Sequence, residues 1–513
     1  MNSLVKSVSV VALSIGMAMA AHAQELNIGM RVASAGPLDP HISTATGDKV
    51  AFAMMFNGLV RFKPGSMNPA DIEPDLAESW NVSDDGLTWT FKLRDGVQFH
   101  GDYGTLTAKD VVYSLKRAAN PDLSSVSSDY TAFETITAVD DLTVEIKLSK
   151  AIPSMLGVLA NYHGGNIVSA KAVAELGENF KTRPIGTGPF AFAELADGEF
   201  LRLVSHTDYF RGAPQIDTIM YRYITSGSAR DLAFANGELD LFYGTREERW
   251  VERMRDDGNV IDVFEPGELR TLHLNTAMPP LDDIRVRQAV AHAINREELV
   301  AFTGASVARA TTAPVPQGYL GHAEKIEGLP HDIDRAKALL AEAGYPDGVS
   351  FKVAITQATA LNTAMQVIQA QLAKAGINVE LDVMEHRSWH GAIRDDVSPM
   401  VLYGAARFPI ADSYLTQFYH SASTVKTPTA VTNFSHCAVA DAEIEAARSE
   451  TDAAKQIELW QAAQEKIVSE VCSVPLFELL QVWGKSPKLD YGYELNGVIS
   501  TGPLIDETTM LSD

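Results

Sequence analysis

Apolar residues recur along this chain in two rhythms, and the rhythm changes near the middle. Over the first half the spacing is mostly two. Leu26, Ile28 and Met30 alternate with polar neighbours, as do Leu87, Trp89, Phe91 and Leu93 after the Asp84-Asp85-Gly86 turn, and Leu142, Val144, Ile146 and Leu148 after Asp140-Asp141. Each run predicts a strand with one buried face. Gly36-Pro37 breaks the first strand, a helix is predicted over 48–59, and Thr107 with Asp110 makes a capping-box start for a helix carrying Val111, Val112 and Leu115. The stretch 269–295 is the turning point. Leu269, Leu272 and Leu274 partly alternate, Pro279-Pro280 interrupts, and Val286, Ala289, Val290, Ala293 and Ile294 then follow at three- and four-residue spacing, with Arg285, Arg287, His292 and Arg296 on the opposite face.

Beyond it, helix and strand take turns. Asp332 caps a helix with Ala336, Leu339, Leu340 and Ala343 on one face, which Gly344 and Pro346 stop. A strand over 351–356, a helix carrying Met365, Ile368 and Leu372 up to Gly376, and the alternating Ile377, Val379, Leu381 and Val383 read as an α/β unit. A short strand over 400–403, an irregular loop and two helices over 440–470 complete the pattern. This change of grammar predicts two lobes, and the space between two lobes is where a small ligand sits.

Length agrees, because 513 residues exceed what one core organises. The net charge of -24 argues against a nucleic-acid partner, which calls for basic patches. It does not argue against a small anion, since salt screens distant charge within about 10 Å. Lys6, the apolar run 8–20 and Ala21-His22-Ala23 predict a secretory signal peptide over 1–23. The run is too short to span a membrane. No cysteine stands at the cleavage point for lipid attachment, so the expectation is a free protein in an exported, oxidising compartment. Two cysteines, Cys437 and Cys472, are read there as a disulfide, with two buried free thiols as the alternative.

Catalytic signatures are missing: there is no Gly-x-Ser-x-Gly, His-Glu-x-x-His, Cys-x-x-Cys or dinucleotide fingerprint. The run Arg183-Pro184-Ile185-Gly186-Thr187-Gly188-Pro189-Phe190 has phosphate-loop glycines but no following Lys-Ser/Thr, and Pro189 lacks a backbone donor, so it reads as a turn into a strand. His386 and His390, four apart, have no third ligand nearby in sequence and read as loop and helix-start histidines. Export, two lobes and no assembled nucleophile point to a carrier rather than an enzyme, with no cofactor and no metal.

Several ordered blocks then become specific. Pro74-Asp75-Leu76-Ala77-Glu78-Ser79-Trp80, the run from Trp89 through Arg94-Asp95-Gly96-Val97-Gln98-Phe99-His100, and Asp110-Val111-Val112-Tyr113-Ser114 resemble the signature of the family 5 extracellular solute-binding proteins, the peptide and nickel receptors of ABC importers. Gly186-Thr187-Gly188-Pro189-Phe190, Gly237-Glu238-Leu239-Asp240, Arg285-Val286-Arg287-Gln288-Ala289 and the block from Ala336 to Tyr345 resemble its later segments in the same order. The resemblance implies an α/β, two-lobed periplasmic-binding-protein fold of the cluster C type. The first lobe would comprise 24–270 and 484–513, with an extra subdomain at about 66–185, and the second 271–483, the chain crossing near Leu272 and Val482. It implies a monomeric periplasmic receptor, without a membrane anchor, that closes on a small solute and hands it to an ABC permease.

One departure bears on the cargo. Peptide-binding members carry an aspartate in a Trp-x-x-Asp-Tyr-x-Asp-Pro loop, where it pairs with the peptide's amino terminus. Here the stretch from Tyr403 to Tyr414 puts Arg407 at that place. A positive fork in a dry cleft suits a carboxylate and repels an amino terminus. The reading is therefore a small organic anion, such as an opine-like carboxylated amino-acid derivative. Oligopeptides or dipeptides, or a nickel complex held through His386, His390 or His41, form the alternative. Arg407 pairing internally with Asp412, or lying in solvent, is the bland reading of that residue. Other cleft candidates are His41, Gln357 and Asn362 beside free amides over 356–362, and Trp389, Tyr403 and Tyr414 as flat walls.

Overall fold

The computed structural model describes residues 24–43, 45–152, 155–160, 163–426 and 432–512; the leader expected at 1–23 lies outside them. The alternating run at the start forms the strand Glu25–Met30 with Leu26, Ile28 and Met30 all buried. It sits inside a nine-stranded sheet of order Met400–Ala405, Val260–Leu274, Ser473–Lys485, Leu241–Tyr243, Glu25–Met30, Thr218–Tyr223, Phe200–Ser205, Phe190–Ala196, with Ala308–Ala310 also paired to Ser473–Lys485.

Two long strands of this sheet belong to both halves of the molecule. Residues 260–264 of Val260–Leu274 pair with 481–485 beside Leu241–Tyr243, whereas 268–274 pair with 473–479 and, on the other edge, with 400–405. Between the two registers, Glu265, Pro266 and Gly267 face only Leu480, and a smaller irregularity follows between Arg270 and Thr271. Such bulges bend a strand and re-aim its side chains. Here the bulge separates two ion-paired groups. Arg309 holds Glu265 (2.8 Å) and Glu478 (2.7 Å), while Arg246 and Arg270 hold Glu268 (2.7 and 2.9 Å).

Residues of the first half build a second body of their own. An antiparallel sheet, Ala77–Val82, Thr88–Leu93, Thr143–Leu148, Phe133–Asp140, is covered by the helix Ala108–Ala119, whose capping box forms as the Thr107/Asp110 spacing predicts. Phe91, Val111, Leu115, Val144 and Ile146 make its core, distinct from the core around Leu26, Ile28, Phe56 and Tyr221. The first helix is shorter than the sequence suggests, Thr46–Met55, because Phe56 turns extended and Asn57 uses its amide to hold Asp75 at 2.9 Å.

In the second half Val349–Thr356 and Ile377–Met384 pair in parallel through the helix Thr359–Lys374. That helix leans on Ile284–Ala293, the helix of the turning point, so the apolar stripe of Val286, Ala289, Val290 and Ala293 is buried. Cys437 and Cys472 are bonded in the core formed by Ala411–Tyr419, Asp441–Ser449 and Ala453–Ser469. A cross-link over this separation stabilises by about 4 kcal/mol on the loop-closure account.

Candidate functional site

The charged group around Glu268 is the centre of the candidate site. Glu268 and Arg270 stand two apart on one strand and so share a face. Arg270 lies opposite Gly404, and a Cβ there would come within 1.8 Å of its Nη1, so only glycine lets the guanidinium cross the neighbouring strand. Arg246 donates to Glu268 Oε1 at 2.7 Å, to Gln481 Oε1 at 2.6 Å and to the Tyr243 hydroxyl at 2.5 Å. Burial alone would push the Glu268 carboxyl up; Arg246 and Arg270 outweigh it and hold it at about 2. Burial also pushes Arg270 below its usual value, with Glu268 opposing. Arg31, just past the strand Glu25–Met30, adds its charge to the same carboxylate and has no hydrogen-bond or ion-pair partner among the described residues.

Further cations arrive from the two sides of the gap. Arg407, on the loop after Met400–Ala405, donates Nε–H to Gln417 Oε1 at 2.6 Å and stacks 5.3 Å over the Phe418 ring. Its charge reaches Lys49 on the helix Thr46–Met55: burial first and Arg407 second push that ammonium down to about 8, against the pull of Asp129. Phe408 meanwhile rests on the subdomain, 5.7 Å from the Phe62 ring and directly over Gly157. The two halves are thus in contact across the gap. Arg31, Arg246 and Arg270 thus act on Glu268, and Arg407 acts on Lys49 with Asp129 opposing, in a chain whose overall charge is -24.

The family model for bacterial extracellular solute-binding proteins, family 5, matches residues 71–426. This chain belongs to that family. It is a transport receptor that binds a solute for an ABC importer, and it is not an enzyme. The di/tripeptide-binding protein 2 of Pseudomonas aeruginosa is 30% identical over 454 residues, covering 82% of this chain and 83% of that protein. MoaA of A. tumefaciens R10, solved with mannopinic acid, is 48% identical, with a TM-score of 0.86 over 96% of this chain and 100% of that one. DppA of Helicobacter pylori, solved with the peptide STSA, is 28% identical, with a TM-score of 0.81 over 96% of this chain and 99% of that one.

Within this family 5 receptor the residues singled out from the sequence are scattered. Arg407 acts on Lys49, and its side-chain partner is Gln417; Asp412 pairs with Arg448 instead, at 3.0 Å. Tyr403 is half-buried, 6.1 Å from Trp389. Trp389 and Tyr414 are core residues: Trp389 donates Nε1–H to the Ala354 carbonyl at 3.2 Å, and the Tyr414 hydroxyl donates to the Ala405 carbonyl. His41 is fully buried. Its Nδ1 accepts from Arg117 at 2.8 Å and its Nε2–H donates to the Asn166 carbonyl at 3.0 Å, so it pins the first-lobe loop to the subdomain helix; burial lowers its pKa to about 4. Gln357 is exposed, and the amides of Gln357, Ala358, Leu361 and Asn362 bond to Met384, Thr356 and Ala358. His386 and His390 both lie on the helix His386–Arg394, the first at its start and neither in a loop, with ring centres 4.7 Å apart. Among the described residues no group of three or more His, Cys, Asp or Glu side chains could hold a metal, and no helix is long and apolar enough to cross a membrane.

Arg31, Lys49, Arg246, Glu268 and Arg270 were not legible as a site. The usable signal was Glu268 and Arg270, two ionisable groups on one face of a strand that also carries Leu269, Leu272 and Leu274, since charges rarely enter such positions unpaired. His273, on the same strand, is a different case. It is buried among Phe418, Tyr419 and Phe434, its Nδ1 has no partner, and burial lowers its pKa to about 3. Unfolded, it takes up a proton below about pH 6.5; folded, it stays neutral, so its contribution is present above pH 6.5 and is lost as pH falls toward 3. H273F should remove about 1.4 kcal/mol per pH unit from the slope of stability between pH 6 and 4, read by urea unfolding at each pH; an unchanged slope contradicts this.

Proposed function

We propose that this receptor captures a small organic anion, an opine-like carboxylated compound, between its lobes, and that the group Arg31, Lys49, Arg246, Arg270 and Arg407 holds the carboxylate. Arg246 and Arg270 converging on the carboxylate of Glu268, with the exposed Arg31 acting on the same group, carry the reading. Guanidinium forks bind carboxylates in pairs of parallel hydrogen bonds, about twice as strong as neutral ones. A peptide's amino terminus would meet the same cations with repulsion. The similarity at 48% identity to a protein solved with an acid supports the reading from a different direction.

The lobes hinge at the bulge, residues 24–264 with 481–513 turning against 268–479. The ion-paired groups on either side of it brace the closed arrangement. The mature receptor acts as a free monomer in the periplasm after removal of 1–23, and docks on its permease in the closed state. Arg31 is the cleanest handle, because its guanidinium bonds to no described residue. R31A should weaken mannopinic acid at least tenfold by titration calorimetry while leaving the melting temperature unchanged. Equal affinity of R31A and R407A with the unaltered chain would end the anion reading.

A further inference from the structure

We infer that Arg246 and Arg309 are crossed ties over the hinge, each anchored in one lobe and gripping a glutamate fixed to the other, and that they set how readily the receptor closes. The inference rests on the lobe division and the anion reading just proposed, and adds which side chains hold the lobes together. Glu265 and Glu268 flank the bulge but belong to different bodies. The backbone of Glu265 is bound to the C-terminal tail of the first lobe: its N–H donates to the Asn496 carbonyl at 3.2 Å, and its carbonyl accepts from the Val498 N–H at 3.0 Å. Glu268 is paired with Leu479 in the ladder of the second lobe.

The arginines reach across. Arg309 stands on the second-lobe strand Ala308–Ala310, opposite Glu478, whose carboxylate it holds at 2.7 Å; its Nη1 reaches back to Glu265 at 2.8 Å. Arg246 is held in the first lobe by the Tyr243 hydroxyl at 2.5 Å and Gln481 Oε1 at 2.6 Å, and reaches forward to Glu268 at 2.7 Å. The buried Gln481 also donates Nε2–H to the Pro266 carbonyl at 2.9 Å, so one side chain fixes both the bulge and this tie. Turning one lobe against the other displaces each arginine from its glutamate, and such bonds are lost within a few tenths of an ångström beyond about 3.2 Å.

The two ties differ in charge. Arg309 serves two carboxylates, Glu265 and Glu478, so a ligand acid arriving there would meet like charge. Glu268 serves two guanidiniums, Arg246 and Arg270, and an acid arriving there adds a counter-charge. The Arg309 tie therefore acts on the hinge whether or not the ligand is present, and the Arg246 tie is the one the ligand strengthens. The Arg309 and Glu265 side chains are 30% and 29% exposed, which limits their pair to a factor of about five or less in the balance between closed and open molecules.

The test places a dye pair on the full-length mature receptor at V139C in the subdomain and V397C in the second lobe, both exposed positions, and reads the distance between them in single molecules without ligand. E265Q leaves the Arg309–Glu478 pair whole and should lower the ratio of closed to open molecules about threefold. R309K, which keeps the charge but loses the fork that spans both carboxylates, takes its place should E265Q melt early. Mannopinic acid should then bind the variant about threefold more weakly, because a ligand that selects the closed form loses affinity with the share of molecules able to adopt it. An unchanged distance distribution, one moved toward closure, or unchanged affinity for an acid that the unaltered receptor binds overturns the ties. If mannopinic acid does not bind the unaltered receptor, the anion reading fails while the shift in distance still upholds the ties. If the acid binds and R31A weakens it while the distances stay as they were, the ties fail and the anion reading stands.

Discussion

E268Q is expected to lower the stability of the ligand-free receptor by about 3–5 kcal/mol, the usual cost of deleting one partner of a buried ion pair. Among the described residues Glu268 is the carboxylate that pairs with both Arg246 and Arg270, at 2.7 and 2.9 Å. A glutamine keeps the shape and one acceptor but leaves two adjacent guanidiniums without a counter-charge. The deficit should shrink when an acid is bound, since its carboxylate supplies the missing charge, and the affinity for that acid should rise. Chemical unfolding with and without mannopinic acid measures both effects. A destabilisation that persists unchanged under saturating acid would mean that the ligand does not reach this group. The pH dependence has a definite sign. With the folded carboxyl held at about 2, the contribution is full above its unfolded value near 4.5 and is lost as pH falls from there toward 2.

The second large effect is on closure. A Cβ at Gly157 would lie 1.9–2.5 Å from three ring atoms of Phe408, and the ring cannot retreat freely because Phe62 stands 5.7 Å away. G157V should hold the lobes apart, with an overpacking cost of about 3 kcal/mol, which is a hundredfold or more in affinity. The three nearest clashes all fall on Phe408, so the effect expected first is on the contact between the halves. Small-angle scattering should show the variant remaining extended at ligand concentrations that compact the unaltered receptor. Normal compaction and affinity in G157V would remove Phe408 from the closing contact.

Much of the fold was legible because local rules agreed with the tertiary result. The alternation at Leu87, Trp89, Phe91 and Leu93 became the strand Thr88–Leu93, and the Thr107/Asp110 spacing became a capped helix. The 3.6-residue stripe from Val286 became Ile284–Ala293, buried as read. Gly376 and Gly344 end their helices with positive φ, which glycine adopts without strain. Length was harder. The run at Leu269, Leu272 and Leu274 showed only the C-terminal end of a fifteen-residue strand, because the part over 260–268 carries a proline, a glycine and three acids that interrupt the alternation.

The site was less legible than the fold. Arg407 was found through its place in a motif, but Arg31, Arg246 and Arg270, which act on Glu268, are spread over some 240 positions, and nothing in linear order groups them. Trp389 and Tyr414 looked like walls for a ligand because aromatic residues serve in both cores and clefts; their hydrogen bonds to the Ala354 and Ala405 carbonyls are tertiary facts. His41 shows the same limit, since its burial depends on Arg117 and Asn166, more than seventy residues away.

By itself, the sequence determined what is set within a few residues: which segments alternate, where helices start and stop, the absence of catalytic signatures and the ordered motif blocks of the family. Only the tertiary structure decided where charge accumulates, because that depends on which distant side chains share a volume too small to let water screen them. Arg246 and Arg270 are unremarkable in linear order until the fold sets both against Glu268.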